Sequence, residues 1–234
     1  MQRVFVWDLP TRLFHWLLVF AIAVSVITGQ IGGAWIDWHG RSGIAIVGLV
    51  VFRLAWGVVG SRTARFAQFV RGPRTIRDYL RGQWQGIGHN PLGALSVLAL
   101  LGVVALQVGT GLFTNDDITY QGPLADLISK ELSDRLRAWH GWLFYALAGL
   151  IVLHFAAIVF HVRIKRERLI RPMVTGWKEL PAAAPLPATE PVRLALHVGS
   201  LLLALGLSGL AVYAATGGFL PPPPPPAATP APAW

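Results

Sequence analysis

Cysteine is absent from this chain of 234 residues, and methionine occurs only at Met1 and Met173. The absence of cysteine excludes disulfide bonds, iron–sulfur clusters, thiolate metal sites and covalent c-type haem attachment. Charge is also scarce, because Asp, Glu, Lys and Arg form 13% of the residues, whereas soluble domains carry about 25%. With 54% hydrophobic residues and a mean hydropathy of +0.54, the composition indicates an integral membrane protein. Any cofactor held inside the membrane would therefore be bound by histidine, methionine or tyrosine, and since methionine is nearly absent, histidine is the expected ligand.

Apolar runs long enough to cross a bilayer occur five times, and none has Asp or Glu deep inside it. Each is about 20 residues or slightly longer, as a hydrocarbon core of about 30 Å requires. The predicted fold is therefore all-α: a four-helix transmembrane bundle followed by a fifth transmembrane helix. The predicted spans are residues 13–31, 39–60, 92–113, 139–162 and 192–216.

The basic residues predict the orientation of the chain. Sixteen of the 20 Lys and Arg fall in three stretches on one side of the predicted membrane, namely residues 3–12, 53–81 and 163–193. The positive-inside rule then places the N-terminus in the cytoplasm and the C-terminus on the outer side. The net charge of +9 thus reflects topology and does not indicate nucleic-acid binding.

The segments outside the spans differ in composition. We expect a four-helix domain over 1–178, a Pro/Ala linker over 179–191, the fifth helix over 192–216 and a proline-rich tail over 217–234 that is extended or disordered. The stretch TIRDYLRG predicts a short helix on the cytoplasmic surface, and DLISKELSDRLR a short helix leading into the fourth span.

Four histidines lie within the apolar runs or at their edges, where an imidazole is a functional-site candidate. His15 lies near the cytoplasmic end of the first span, and His39 opens the second span at the outer face. His140 and His154 share one face of the fourth span, about 21 Å apart along its axis. Depth therefore pairs His15 with His154 and His39 with His140, which predicts two bis-histidine haems, one near each membrane surface.

Each histidine also has a simpler interpretation. A single histidine at a helix end, such as His39, can be an interfacial polar residue, and His154 can form a hydrogen bond between helices. His161 lies seven residues after His154 on the same face and is an alternative ligand for the inner iron.

Haem propionates are anionic and need donors near the membrane surface. Arg12, Arg53 and His89 are candidates on the inner side, and Arg41 and Arg137 flank the outer ligands. Arg53 can instead snorkel to the interface, and His89 can bind a quinone oxygen or cap a helix.

Glycines occur along the second and third spans, where either a flat porphyrin or a closely packed helix needs room. They are Gly43, Gly48, Gly102, Gly109 and Gly111.

Four stretches of the chain resemble the bacterial di-haem cytochrome b561 family, which includes the b-type cytochrome subunits of nickel–iron hydrogenases. They are VWDLPTRLFHWLL, WHGRSGIAIVGLVVFRLAWGVVG, GHNPLGALSVLALL and RAWHGWLFYALAGLIVLHFAAIVFH. The resemblance covers about residues 3–177, and the fifth helix and the tail lie beyond it. Carried onto this chain, the family's haem ligands fall on His15, His39, His140 and His154.

The resemblance implies a quinone-linked oxidoreductase subunit in the bacterial inner membrane that carries two b haems. It would exchange electrons between the quinone pool and a redox partner such as a periplasmic dehydrogenase, a hydrogenase or a c-type cytochrome, in either direction. Two alternatives are a transporter whose histidines relay protons and a haem-free membrane anchor. A transporter of that kind would have broken spans and mid-membrane carboxylates, which this sequence lacks.

Overall fold

The computed structural model describes residues 2–84, 86, 88–181 and 194–221. Five of its helices are long and apolar enough to cross a membrane, as the sequence predicts. In chain order the elements are β1 (Gln2–Phe5), α1 (Leu9–Ile31), α2 (Ile36–Val59), α3 (Phe66–Phe69), α4 (Pro73–Leu80), α5 (Pro91–Gly111), α6 (Lys130–Arg163), α7 (Ile170–Thr175), β2 (Trp177–Leu180) and α8 (Leu194–Ala215), with 3₁₀ turns at Gly33–Trp35 and Ala125–Leu127.

Three of the long helices begin at a residue whose side chain caps them. Asp8 accepts the backbone N–H of Thr11 at 2.8 Å, and Asn90 accepts that of Gly93 at 2.7 Å. Ser129 caps α6 in the same way. Because the first backbone N–H groups of a helix have no partner within it, these side chains fix where α1, α5 and α6 start.

The four helices α1, α2, α5 and α6 form the bundle. The main packing pairs are α1 with α2, α2 with α5, and α5 with α6. The buried core between them includes Phe14, Ile46, Trp56, Val104 and Leu147. Since α6 packs chiefly on α5, the space between α6 and the α1–α2 pair is available to a cofactor.

The two ends of the bundle can be named by what lies there. At one end β1 pairs antiparallel with β2, with Gln2 opposite Leu180 and Phe5 opposite Trp177; we call this the strand side. At the other end lies the connection between α5 and α6, residues 112–129; we call this the loop side. The sequence analysis did not predict the two strands, because each has four residues and its partner lies about 175 positions away.

Helix α6 differs from its predicted form. The sequence predicted a short helix ahead of the fourth span, but the structure shows one continuous helix of 34 residues. At 1.5 Å per residue it is about 51 Å long, so it extends well beyond a hydrocarbon core of about 30 Å. The predicted surface helix in TIRDYLRG is present as α4.

The predicted boundaries near the C-terminus are only partly described. Strand β2 runs to Leu180, two residues into the predicted linker. Residues 182–193 and 222–234, which include most of that linker and all but the first residue of the proline run, lie outside the described residues.

The fifth helix packs on α2. The Ser208 hydroxyl donates to the Gly48 carbonyl at 2.8 Å, and a Cβ on Gly48 would come within 2.8 Å of Val212. The side chain of Ala204 is fully buried. Gly48 therefore makes room for a closely packed helix and not for a porphyrin.

Candidate functional site

His39 of α2 and His140 of α6 face each other near the loop side. Their ring centres are 6.0 Å apart and the rings are inclined at 79°. Two imidazoles bound to opposite faces of one metal ion, with metal–nitrogen distances of about 2 Å, have ring centres about 6 Å apart. The spacing of this pair therefore fits axial ligation of a single iron.

Hydrogen bonds orient both rings of the pair. His39 Nδ1 lies 2.8 Å from the Ser25 carbonyl oxygen, and His140 Nδ1 lies 2.9 Å from the Gln107 carbonyl oxygen. Since a carbonyl only accepts, each Nδ1 carries the proton, and we assign the tautomers on this basis. Each Nε2 then keeps its lone pair, as in a histidine that ligates a metal, and at His140 this lone pair accepts the side-chain amide N–H of Gln107 at 3.1 Å.

Two glycines allow the helices to come close enough for these bonds. A Cβ on Gly29 would lie 2.7 Å from His39 Nδ1, and a Cβ on Gly111 would lie 3.0 Å from His140 Cε1. Contacts this short would push the imidazoles out of place. Glycine at these two positions is thus required by the position of the rings.

A cavity of about 410 Å³ surrounds the pair, which is within the usual range for cofactor sites. Its walls come from α1, α2, α5 and α6, and most are apolar. Gly43 and Gly141 are among the lining residues, and a Cβ on either would have open space around it. A flat macrocycle between α6 and the α1–α2 pair fits this lining.

The mouth of the cavity is polar. Arg137 lines it, together with Asp116 and Tyr120 of the 112–129 connection. Arg137, which the sequence predicts as a propionate donor, therefore lies at the cavity that contains the histidine pair. Arg41 is not part of the lining, and its guanidinium lies 5.3 Å from the centre of the Trp38 ring.

The connection over the cavity is ordered by Asp116. Its carboxylate accepts the Thr119 hydroxyl at 2.6 Å and the backbone N–H of Tyr120 at 2.8 Å, and further N–H groups also donate to it. These bonds hold the pKa of Asp116 below its usual range, and burial raises the pKa of Tyr120. The Tyr120 ring lies edge-on to His39, with centres 6.5 Å apart. The sequence analysis did not identify Tyr120, because no pattern marks it.

His15 of α1 and His154 of α6 lie near the strand side. They are close enough to interact electrostatically, so the structure brings this predicted pair together as well. The Nδ1 atom of His15 is buried and has no hydrogen-bond partner among the described residues. Since an unpaired polar atom is costly inside the bundle, a group that pairs with this nitrogen is expected next to His15.

Arg53 is 3% exposed, so it does not snorkel. Its Nη1 donates to the Ala64 carbonyl at 3.1 Å, and the guanidinium lies 4.7 Å from the centre of the Phe66 ring. The carboxylate of Asp8 is near enough to interact with it electrostatically. A buried arginine with this environment can bind an anionic group.

Asp8 is the main strand-side residue that the sequence analysis missed. Besides capping α1, it accepts the Trp56 indole N–H at 2.9 Å and the Ser61 hydroxyl. An Asp immediately before an apolar helix signals a cap, but nothing in the sequence indicates that the same carboxylate also joins α2.

His89 and Arg12 occupy different parts of the strand side. The His89 ring packs between Trp7 and Phe69, with ring centres 4.5 and 4.6 Å away, and its buried Nδ1 has no partner among the described residues. Burial, and then the positive charge of Arg53, lower the pKa of His89 to about 4. Arg12 donates to the Val174 carbonyl at 2.5 Å. His89 does not cap α5, since Asn90 does so.

The two remaining histidines that lie on long helices have partners of their own. His161 Nε2 lies 3.4 Å from the Tyr79 hydroxyl, and its Nδ1 lies 3.4 Å from a Glu167 carboxylate oxygen. His197 of α8 packs edge-on against Trp56, with ring centres 5.7 Å apart.

Comparisons with known proteins identify a family for the chain. The family model described as prokaryotic cytochrome b561 matches residues 6–176. A probable Ni/Fe-hydrogenase B-type cytochrome subunit of Azotobacter chroococcum is 26% identical over 75% of this chain and 88% of its own length. Proteins with similar names from Rhodobacter capsulatus and Escherichia coli K12 are 24% and 20% identical, over 74% of this chain and 80% and 90% of their lengths.

No solved structure matches the chain significantly. The family match covers the four-helix bundle and both histidine pairs, and α8 lies beyond it. With five membrane-spanning helices, the chain is a multi-pass membrane electron-transfer protein that binds haem b, and it belongs to the prokaryotic cytochrome b561 family.

Proposed function

We propose that this chain carries two bis-histidine b haems and moves electrons through them between the quinone pool and a redox partner protein. His39 and His140 ligate the loop-side haem, and His15 and His154 ligate the strand-side haem. A b haem supplies one-electron redox chemistry at its iron, and the protein orients it and tunes its potential.

The observation that carries this proposal is the loop-side pair. Its rings are 6.0 Å apart, both Nδ1 atoms donate to backbone carbonyls, and both rings line one cavity. Packing between helices requires none of these three features together. They are the properties expected of two imidazoles oriented for one iron.

The strand-side pair supports a second haem with different evidence. His15 and His154 interact across the bundle, and a buried His15 nitrogen lacks a partner among the described residues. His154 is preferred over His161, because its depth matches that of His15 more closely and because Nε2 of His161 lies 3.4 Å from the Tyr79 hydroxyl. The two sites lie about 21 Å apart along α6, the rise of 14 helical residues.

Charged side chains are assigned to the propionates on each side. Arg137 serves the loop-side haem, because it lines the cavity. Arg53 and His89 serve the strand-side haem, with Arg12 nearby at the start of α1. On the loop side Arg41 contributes positive charge from a greater distance.

The basic segments place the strand side in the cytoplasm of a bacterial cell and the loop side in the periplasm. Names of similar proteins include hydrogenase cytochrome subunits, so a hydrogenase or another dehydrogenase on the periplasmic side is the favoured partner, with a c-type cytochrome as the other candidate. Neither a proton-relay transporter nor a haem-free anchor is favoured by any observation.

Haem content and spectra test the proposal. The purified full chain should contain two b haems, and His39→Ala or His140→Ala should remove one of them. His154→Ala should remove the other, while His161→Ala and His197→Ala serve as controls that keep both.

A chain with one haem, or one in which His161→Ala removes a haem and His154→Ala does not, would contradict the ligand assignment. Quinone exchange is tested separately, by adding a quinol analogue to the oxidised protein and following haem reduction. The absence of any reduction would refute the quinone part alone.

A further inference from the structure

A second cavity, of about 250 Å³, lies on the strand side and is lined by none of the four proposed haem ligands. It is bounded by α4, by the segment before α5 and by the chain between α6 and β2. The residues that matter for its chemistry are Tyr79, Trp84, Asn90, Lys165, Glu167 and Lys178.

The cavity lining contains two lysines, Lys165 and Lys178, and one carboxylate, that of Glu167, so positive charge exceeds negative charge there. Among the described residues on this side, Glu179 pairs with Arg168 and Arg171, and Glu167 lies next to His161. Lys165 and Lys178 take part in none of these ion pairs. The Lys165 ammonium instead lies 5.1 Å from the centre of the Tyr79 ring.

The neutral groups of the lining are suited to donate hydrogen bonds. The Asn90 Oδ1 atom already accepts the Gly93 N–H, so its amide NH₂ is the part left for a ligand. The Trp84 indole can only donate. Two ammonium groups with amide and indole donors match a cluster of anionic oxygens, as on a phosphate.

The position of the cavity at the membrane surface indicates that the phosphate belongs to a lipid head group. Lys165 lies two residues beyond the end of α6, where the chain leaves the membrane. Leu80 and Ile164, which adjoin lining residues in sequence, are large apolar side chains that are 69% and 68% exposed. A ligand with a phosphate and long acyl chains can occupy both environments at once. Lys and Arg side chains on the cytoplasmic side of a transmembrane helix attract anionic lipid head groups.

We propose that this cavity binds the head group of an anionic phospholipid, with Lys165 and Lys178 contacting the phosphate and the acyl chains lying along Leu80 and Ile164. The proposal does not depend on which histidines ligate haem. It predicts a lipid that remains with the protein when bulk lipid is exchanged.

The test uses the full haem-loaded chain in nanodiscs of phosphatidylcholine with increasing phosphatidylglycerol, and native mass spectrometry to count retained phosphatidylglycerol. Each lysine near an anionic head group contributes about fivefold in affinity. Lys165→Gln and Lys178→Gln should each weaken retention by about that factor, and the double variant by about 30-fold. Lys165→Arg should retain binding, which separates charge from folding.

Arg71→Gln combined with Arg74→Gln is the matched control, since it removes two exposed positive charges from the same side. It should change retention less than about twofold. An equal loss in this control would show a general surface potential and overturn the proposal. Displacement of the lipid by millimolar inorganic phosphate would overturn the lipid assignment in favour of a free-phosphate site. Loss of haem with full lipid retention in the lysine variants would assign the lysines to the propionates instead.

Discussion

The two histidine pairs are supported in different ways. On the loop side, both imidazoles donate to backbone carbonyls of a neighbouring helix, Ser25 for His39 and Gln107 for His140. On the strand side, His15 Nδ1 is buried without a partner among the described residues. The orientation of the loop-side rings is therefore fixed by hydrogen bonds to neighbouring helices, whereas within the described part of the chain no such bond fixes the orientation of the His15 ring.

Glycine explains much of this difference. Gly29 and Gly111 lie against the loop-side imidazoles and allow α1 to approach α2 and α5 to approach α6. The strand side is organised by charge instead, through Asp8, Trp56 and the buried Arg53. Close backbone approach fixes the orientation of a ligand, whereas buried charge controls the electrostatic environment of the site.

The largest effect should come from filling the space that Gly29 leaves for the His39 ring on the loop side. Gly29→Ala places a Cβ 2.7 Å from His39 Nδ1. The imidazole must therefore move and lose its hydrogen bond to the Ser25 carbonyl oxygen. We expect the affinity for the loop-side haem to fall about 10- to 100-fold, measured by haem titration of the purified chain. Gly102→Ala is the control, since its Cβ meets nothing within 4 Å. Equal haem loss in both variants would contradict the role given to Gly29.

The next effect concerns the charge network of the strand side. Asp8→Ala removes the cap of α1, worth about 1 kcal/mol, and the bonds from Trp56 and Ser61 to a charged group, worth about 2 kcal/mol. We expect the free energy of unfolding to fall by about 3 kcal/mol in denaturant titrations in detergent. Asp126→Ala, at an exposed carboxylate of the loop side, should change it by less than about 0.5 kcal/mol. Similar losses of unfolding free energy in Asp8→Ala and Asp126→Ala would contradict the role given to Asp8 on the strand side.

A smaller effect should appear as pH dependence on the strand side. The pKa of His89 is lowered from 6.5 to about 4, so between these values the unfolded chain binds the proton and the folded chain does not. Stability is then fully present above about pH 6.5 and falls as the pH decreases towards 4. In His89→Phe, which keeps the ring between Trp7 and Phe69, this part of the decrease should disappear. Thermal unfolding at several pH values measures it, and parallel curves for both proteins would disprove the assignment.

The smallest effect should come from a second contact to His140. The Thr110 hydroxyl lies 3.3 Å from His140 Nδ1, which also donates to the Gln107 carbonyl at 2.9 Å. Thr110→Val removes this contact and the bonds from the hydroxyl to the Leu106 and Gln107 carbonyls, but it leaves the bond from Nδ1 to Gln107 in place. Both haems should therefore remain, and the loop-side affinity should change by less than about tenfold. A redox titration should show a shifted potential for the loop-side haem and an unchanged one for the other. A shift in the strand-side haem alone would be inconsistent with this position.

Much of the fold could be predicted because membrane spans leave a strong signal in the sequence. Five apolar runs predicted the five long helices, and α4 lies where its amphipathic pattern indicated. The start of α6 at Lys130 was harder to predict, since a helix that leaves the bilayer changes from apolar to charged residues without changing its conformation. The strands β1 and β2 were missed because their pairing is a long-range contact between short segments.

The candidate site could be predicted in part for the same reason. Histidines inside apolar runs are rare, and depth along the helices sorted four of them into two pairs. The contacts of Asp8, Gly29 and Tyr120 could not be obtained in this way, because each depends on how two helices or a helix and a loop approach one another.

The sequence by itself determined that the chain spans a membrane, that histidine must hold any cofactor there, and which histidines share a depth. These conclusions follow from composition and from the regular rise of a helix, which are local properties. Only the tertiary structure decided which ring nitrogens donate to backbone carbonyls, why Gly48 packs on α8 while Gly29 accommodates His39, and that Lys165 and Lys178 meet in one cavity. Those properties arise from the distances between helices, which no local pattern contains.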